Sequence, residues 1–367
     1  MPTDVVFDPS SPSLQARLSS RTNSLNAVRL FLALLVVIGH AWPLTGSLSG
    51  PHLEFLSDIA VNGFFAVSGY LIAASRVSTS LPVYLVRRIL RIFPGFLVCL
   101  LAIALVFSPL AAALEHRPMD WLSAAGFVIG NALLAVRQWG IGQTLGDVPY
   151  PSVWDGSLWT LGYEFVAYLA LGAVLTVPWI RSRMGVVLTA LALMSIAGSM
   201  LIEGPVHVST SFYHYAGRLG SYFLVGAAMY AAARRIPVRM SLIAAAAASY
   251  VALWYLGADG SLGQVPLAYL LLAVGSRATT DVTTRNDLSY GLYIYAFPVQ
   301  QLLVDMGTAP WGVLPNAVAT LAIALGLAWL SWRLIEKPAL SLKNLRPGAG
   351  IGLAWTRSAR TDRGRLT

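Results

Sequence analysis

The chain has 367 residues, of which 56% are hydrophobic and 11% are charged, and its formal net charge is +9. Soluble globular domains carry about 25% charged residues, so this composition excludes an ordinary soluble enzyme and indicates an integral membrane protein. The excess of arginine lies in short loops between apolar segments, which is typical of cytoplasmic loops and gives no reason to expect a nucleic-acid partner. The single cysteine, Cys99, excludes an intrachain disulfide framework.

Ten apolar segments predict an all-α polytopic membrane protein with about ten transmembrane helices, in contact with membrane lipids. They lie near residues 24–43, 56–75, 92–114, 157–178, 184–201, 212–233, 239–257, 263–276, 288–306 and 311–335. If the ambiguous stretch 121–139 does not cross the membrane, almost all loop arginines and lysines fall on one side, and both termini are cytoplasmic. We therefore predict a transmembrane domain over residues 23–340 between two disordered cytoplasmic extensions, residues 1–22 and the basic tail 341–367.

The first apolar segment contains two ionisable residues, Arg29 and His40. Eleven residues at about 100° each place both side chains on one helix face, with a rise of roughly 16 Å between them. A charge at membrane depth costs about 2.5–3.5 kcal/mol on insertion scales, so the pair indicates a functional site. Arg29 would lie toward the cytoplasm and His40 toward the periplasm. The alternative is a snorkelling arginine and an interfacial histidine.

Three arginines lie near the start of the third segment: Arg87, Arg88 and Arg91 precede Pro94 at membrane depth. The planar guanidinium fork suits phosphate groups, so we interpret this cluster as an anion clamp. The alternative is ordinary anchoring by positive charge on the cytoplasmic side.

A carboxylate, Glu164, lies about two turns inside the fourth segment and needs a partner at that depth. His40 is one candidate, since a carboxylate next to a histidine orients the ring and supports a general base. Asp58 competes as the partner of His40, and Arg29 or Arg218 could instead neutralise Glu164.

Six segments of the chain resemble, in order, the motifs of the acyltransferase type 3 family of bacterial inner-membrane O-acyltransferases. They are Arg29 and His40 with ten residues between them, Gly63–Ile72, Arg88–Pro94, Ser157–Leu169, Ser289–Pro298 and Ser331–Pro338. Two departures matter: Ala296 stands where many members have histidine, and the chain ends soon after the tenth segment, without the soluble periplasmic domain that some members carry.

The resemblance implies a multi-pass enzyme of the bacterial inner membrane that moves an acyl group from cytoplasmic acyl-CoA, usually acetyl-CoA, to a hydroxyl of an exported glycan. It implies no metal. It implies His40 as general base and a donor path past Arg29, with CoA phosphates held by Arg88 and Arg91 beside Arg87. Glu164 would support the base. We favour direct transfer, and Ser68 is the mid-membrane hydroxyl to check as an acyl carrier or oxyanion donor.

Two other classes of function stay open at this point. One is a transporter or flippase that moves a lipid-linked saccharide or an acyl group without chemistry, and the other is a sensor in which Arg29 and His40 form a structural pair. Within the enzyme class, the donor could be succinyl-CoA or a longer acyl-CoA. The acceptor could be O-antigen, exopolysaccharide, a lipid-linked oligosaccharide or peptidoglycan. Several aromatic residues could stack on its sugars, although an interfacial belt explains most of them: Trp42, Trp139, Tyr150, Trp154, Trp159, Tyr213 and Tyr215.

Overall fold

A computed structural model describes residues 12–19, 24–48, 52–203, 211–277 and 286–342, and within these ranges the chain is helical and contains no β-strand. The predicted all-α class is therefore confirmed. Residues 12–19 differ from the expected disordered extension, because Leu14 is fully buried and its backbone N–H donates to the carbonyl of Ile236 over 2.8 Å. The other residues of the two extensions lie outside the described ranges, except for the end of the last helix.

Among the described residues, ten helices overlap the ten predicted segments, although the third begins at Leu81, well before the predicted start at residue 92. They are α1 (Leu25–Thr45), α2 (Phe55–Val77), α3 (Leu81–Ala102), α4 (Trp159–Val174), α5 (Met184–Glu203), α6 (Ser211–Ala232), α7 (Met240–Tyr255), α8 (Gln264–Arg277), α9 (Ser289–Leu303) and α10 (Val313–Ser331). In the described part of the chain, five helical stretches are long and apolar enough to cross a membrane, namely α1, α2, Leu81–Leu114, Met184–Leu201 and Val313–Ser341. The chain is a multi-pass membrane protein, while ten crossings and cytoplasmic termini stay predictions.

Shorter elements connect and extend these helices. A π-helical turn, Ile103–Phe107, joins α3 to a helix over Ser108–Leu114, and a second π-helical turn, Trp332–Glu336, joins α10 to Lys337–Ser341. The remaining short helices are Leu14–Leu18, Trp121–Asn131, Pro178–Ser182, Asp259–Leu262, a π-helical turn at Val304–Thr308 and a 3-10 turn at Ala309–Trp311.

The ambiguous stretch forms only the 11-residue helix Trp121–Asn131. Such a helix is about 16 Å long, roughly half the thickness of a hydrocarbon core, so it is too short to cross on its own. An irregular segment, residues 132–158, follows it and returns to the start of α4. This geometry agrees with the interpretation that the stretch does not span the membrane.

Helix α9 occupies the centre of the bundle, and every residue from Ser289 to Gln301 is buried. Ala296 packs there among Ala33, Val37 and Ala328, which come from α1 and α10. The position where many relatives have histidine is thus a small-residue contact between helices in this chain, and it supplies no base.

Helices α2 and α6 cross at unusually short range because each presents a glycine to the backbone of the other. A Cβ atom built on Gly69 would overlap the carbonyl of Phe223, and one built on Gly226 would overlap the carbonyl of Ala66. Small residues permit this approach, which is a common way of packing helices in membranes.

We predict that Gly69→Ala destabilises the protein by about 1–3 kcal/mol, because the backbones must separate to admit the methyl group. The matched control is Gly198→Ala in α5, where an added Cβ meets nothing within 4 Å. The measurement is the unfolding temperature of both variants in detergent. An unchanged value for Gly69→Ala would show that the crossing is looser than described.

Candidate active site

An ionic cluster closes one end of the bundle and consists of Arg29, Arg91, Asp287 and Glu336. Asp287, just before α9, accepts from Arg29 Nη1 over 3.1 Å and from Arg91 Nη2 over 2.5 Å through the same oxygen, Oδ2. Its other oxygen accepts from Ser289 Oγ over 2.7 Å. Arg91 Nη1 also donates to Glu336 Oε2 over 3.2 Å. The cluster therefore ties α1, α3, α9 and the end of α10 together at what we call the Arg29 end.

The predicted anion clamp is divided by these contacts. Arg91 is held by two carboxylates, and its side chain is 15% exposed. Arg87 and Arg88 form no ion pair within the described part of the chain, and the Nε atoms of both are buried without a hydrogen-bond partner. The guanidinium of Arg88 lies 5.9 Å from the ring centroid of Tyr84. The positive charges of Arg87 and Arg88 are therefore not neutralised by any carboxylate of the described residues. The charge of Arg91 is neutralised by Asp287 and Glu336.

Glu164 binds neighbouring hydroxyl groups. Its Oε1 accepts from Ser68 Oγ over 2.8 Å and from the hydroxyl of Tyr168. Among the described residues it makes neither a hydrogen bond nor an ion pair with His40 or Arg29. The expected alternative partner Arg218 is engaged elsewhere, with Asp58 at 3.4 Å.

A small cavity lies deep in the bundle between the Arg29 end and the level of His40. Arg29 and Glu164 line it together with Phe64, Thr160 and Tyr293. Its volume is about 30 Å³, which is enough to hold a water molecule. Arg29 and Glu164 thus share one small polar cavity.

Tyr293 borders this cavity, although the sequence reasoning gave it no role. Its hydroxyl donates to the carbonyl of Ser157 over 2.9 Å and lies 2.5 Å from Thr160 Oγ1. The spacing of four residues between Ser289, Tyr293 and Phe297 could have revealed it, since such residues share one helix face. That face of α9 runs from the Arg29 end of the bundle, at Ser289, to His40, at Phe297.

His40 lies beside the aromatic ring of Phe297, edge to face, with 5.2 Å between ring centroids. Among the described residues, none forms a hydrogen bond or an ion pair with the ring nitrogens of His40. Phe297 also contacts Tyr150, at 6.0 Å between centroids, and a Cβ built on Gly156 would lie 2.6 Å from it. His40 thus adjoins the irregular segment that precedes α4, at what we call the His40 end.

A cavity of about 470 Å³, the aromatic cavity, opens next to that segment. It is lined by Trp139, Tyr150, Val153, Gly156, Trp159 and Tyr215. Four of the seven aromatic residues considered for an interfacial belt therefore surround one space. Trp42 and Trp154 are buried inside the protein, whereas the residues of an interfacial belt lie on its surface. The aromatic cavity and His40 are separated by the side chain of Phe297.

A second carboxylate, Asp155, lies next to this cavity and was missed because SVWDGS resembles an ordinary turn. Its Oδ1 accepts from the N–H of Ser157 over 2.9 Å and from Ser157 Oγ over 2.6 Å. Its Oδ2 is buried without a hydrogen-bond partner. Burial raises the pKa of Asp155 to about 7, although the bonds from Ser157 favour the ionised form.

The Arg29 end and the His40 end of the bundle suit different chemistry. The Arg29 end offers unneutralised guanidinium groups, which bind phosphates. The His40 end offers an imidazole whose ring nitrogens bind no side chain of the described residues, beside a group of aromatic rings in edge-to-face and tilted contact. Among the described residues, no group of three or more histidine, cysteine, aspartate or glutamate side chains is placed to hold a metal ion.

Comparison with known proteins assigns the chain to a family. The profile of a family described as an acyltransferase domain matches residues 22–333. A protein named O-acetyl transferase from Shigella phage Sf6 is 28% identical over 330 residues, which cover 86% of this chain and 96% of that protein. Nodulation protein 10 from Rhizobium leguminosarum bv. viciae is 28% identical over 365 residues, covering 89% of this chain and 95% of the relative. No solved structure matches the chain significantly.

We predict that Asp287→Ala destabilises the protein by about 3–5 kcal/mol, since it leaves two largely buried guanidinium groups without their shared carboxylate. Glu336→Gln should destabilise less, because Arg91 keeps Asp287. The control is Asp147→Ala, which removes an exposed partner of Arg117 and should change stability by at most about 1 kcal/mol. Unfolding temperatures in detergent measure all three. Equal effects of Asp287→Ala and Asp147→Ala would contradict the role given to the ionic cluster.

Proposed function

Because the chain belongs to the acyltransferase family, we propose that it is an O-acetyltransferase that moves an acetyl group from acetyl-CoA to a hydroxyl of a cell-envelope or exported glycan. One observation carries this proposal. At one end of the bundle Arg87 and Arg88 form no ion pair among the described residues, and at the other end His40 packs on Phe297, whose ring also contacts Tyr150 of the aromatic cavity. The name of the phage relative, O-acetyl transferase, supports acetyl as the transferred group.

The donor binds at the Arg29 end, which faces the cytoplasm of a bacterial inner membrane. The phosphates of CoA meet the guanidinium groups of Arg88 and Arg87, because no carboxylate of the described residues is paired with either arginine. Arg91 and Arg29 instead keep the helices in register through Asp287. This division revises the predicted clamp: two of its three arginines contact the donor, and the third acts on the bundle.

The acyl end of the donor then extends along the path toward His40. The rise from Arg29 to His40 is roughly 16 Å, a length that an extended pantetheine arm can cover. Since the intervening cavity holds only about 30 Å³, Phe64 and Tyr293 at its wall must shift to admit the arm. Donor binding and opening of the path are therefore coupled in this mechanism.

His40 acts as the general base. Its neutral imidazole accepts the proton of the acceptor hydroxyl while the oxygen attacks the thioester carbonyl, forming the new C–O bond. The tetrahedral intermediate collapses by breaking the C–S bond. The CoA thiolate leaves and takes up the proton from the imidazolium. The products are the acetyl ester and CoA thiol.

Ser68 offers a covalent variant of this reaction. Its hydroxyl donates to Glu164 over 2.8 Å, and a hydroxyl bound to a carboxylate is the arrangement that activates a nucleophile. In that variant Ser68 Oγ attacks the thioester carbonyl and the C–S bond breaks, while Glu164 takes the hydroxyl proton and passes it to the leaving CoA thiolate. The acceptor hydroxyl then attacks the Ser68 ester, the bond to Ser68 Oγ breaks, and Ser68 regains its proton from the acceptor hydroxyl through Glu164. Retention of activity by Ser68→Ala would support direct transfer.

The acceptor binds in the aromatic cavity at the His40 end, where Trp139, Trp159 and Tyr215 can stack on sugar rings. A second, apolar cavity of about 580 Å³ shares Trp139 and Trp159 with it and is also lined by Phe165 and Val166. This neighbouring apolar space supports an acceptor that is linked to a lipid and approaches from within the membrane.

We predict that His40→Ala lowers acetyl transfer by about 10²–10⁴-fold, the contribution of a general base. Arg88→Ala should raise the KM for acetyl-CoA about tenfold or more, because it removes a phosphate contact. The assay measures transfer of radiolabelled acetyl from acetyl-CoA to endogenous glycan in inverted membranes, at matched amounts of folded protein.

Two variants serve as controls. His52→Asn changes a half-exposed histidine at the His40 end, and Arg183→Ala changes an arginine whose guanidinium lies 5.0 Å from the ring of Trp179. Both should transfer label like the wild type. Transfer that survives His40→Ala would remove the proposed base, and failure of the wild type to bind CoA would favour the transporter interpretation.

A further inference from the structure

A second polar cavity of about 250 Å³ opens at the His40 end, between the first turns of α2 and α6 and the last turn of α7. It has no part in the mechanism above. It combines an aromatic wall with charged side chains, and the residues that matter here are Phe55, Asp58, His214, Arg218, Trp254 and Asp259.

The charged side of this cavity is held in place by buried contacts. Arg218 is 15% exposed, and its Nη2 lies 3.4 Å from Asp58 Oδ1. Its Nε donates to Asn62 Oδ1 over 3.1 Å, and Asn62 is fully buried. Asp58 is 63% exposed, so its carboxylate stays accessible to a ligand although its partner is fixed. The polar groups are therefore oriented before any ligand binds.

The opposite side of the cavity is aromatic. The rings of Phe55 and Trp254 lie 4.6 Å apart between centroids, and Trp254 is 37% exposed. Sugar rings pack their C–H faces on aromatic rings and bind carboxylates and guanidinium groups through their hydroxyls. Two carboxylates and one already paired guanidinium favour a neutral sugar over an acidic one, since an anion would meet net negative charge.

This polar cavity is joined to the aromatic cavity through consecutive residues of α6. His214 lines the polar cavity and Tyr215 lines the aromatic cavity, with 5.4 Å between their ring centroids. Tyr215 in turn lies 4.5 Å from the ring of Trp159. A chain of sugars can therefore lie across both cavities.

We propose that the polar cavity is a remote subsite that binds a neutral sugar unit of the acceptor glycan, apart from the unit that is acylated. This inference rests on the proposed function and adds to it that the enzyme recognises an oligosaccharide segment. It follows that longer acceptors bind more tightly than the shortest one that the enzyme acylates.

The experiment uses the acceptor that the wild type itself labels. Glycan is released from wild-type membranes, de-O-acetylated in mild alkali, separated by size and returned to membranes that contain each variant. Trp254→Ala should raise the KM for long fragments about tenfold, as expected for loss of roughly 1.4 kcal/mol of contact energy. The KM for the shortest fragment and for acetyl-CoA should stay unchanged. Asp58→Asn should act in the same direction, and Trp254→Phe should restore most of the affinity.

The matched control is Trp311→Ala, which changes another exposed tryptophan beyond α9 at the same end of the bundle. An unchanged KM of Trp254→Ala for long fragments would overturn the subsite, as would a wild-type KM that does not depend on length. An equal loss on long and short fragments would assign Trp254 a structural role and overturn it too. If the wild type labels no glycan from acetyl-CoA, the proposed function itself fails, which is a distinct result.

Discussion

A single carboxylate, Asp287, holds two arginines that come from different helices. Arg29 lies on α1 and Arg91 on α3, and each would cost several kcal/mol if it were left unpaired at membrane depth. Glu336 adds the end of α10 to the same network. These helices cannot slide past one another at this end without separating buried charges. The position of His40 on α1 relative to Phe297 on α9 depends on that constraint.

The same ion pairs distinguish Arg91 from Arg88, although both arginines lie in one basic cluster of the sequence. Arg91 forms ion pairs with Asp287 and Glu336, whereas Arg88, one turn away on α3, has no carboxylate partner in the part of the chain that the structure describes. A cationic surface is thereby kept at the Arg29 end even though the interior is neutralised. The small cavity that Arg29 and Glu164 line, about 30 Å³ in volume, lies next to this end of the bundle.

Hydropathy was enough to predict an all-helical chain and the approximate positions of most helices, although it missed the first turns of α3. The ion-pair partner of Arg29 and the hydrogen-bond partners of Glu164 were harder to predict. Asp287 ends a polar stretch that reads as a loop, and only the fold brings it to Arg29. Tyr168 lies four residues after Glu164, so that partner was within reach of a local rule, but Ser68 comes from another helix. The aromatic cavity and the apolar cavity beside it depend on how the irregular segment 132–158 packs on α4 and α6, which no local pattern encodes.

The most direct test of this account is a structure of the protein with bound coenzyme A in a lipid nanodisc. The account predicts density for the nucleotide phosphates within about 4 Å of the guanidinium groups of Arg88 or Arg87. It also predicts that the pantetheine arm points past Glu164 toward His40, with Phe64 or Tyr293 displaced. Coenzyme A bound at the His40 end, or bound at the Arg29 end without contact to Arg87 or Arg88, would contradict it.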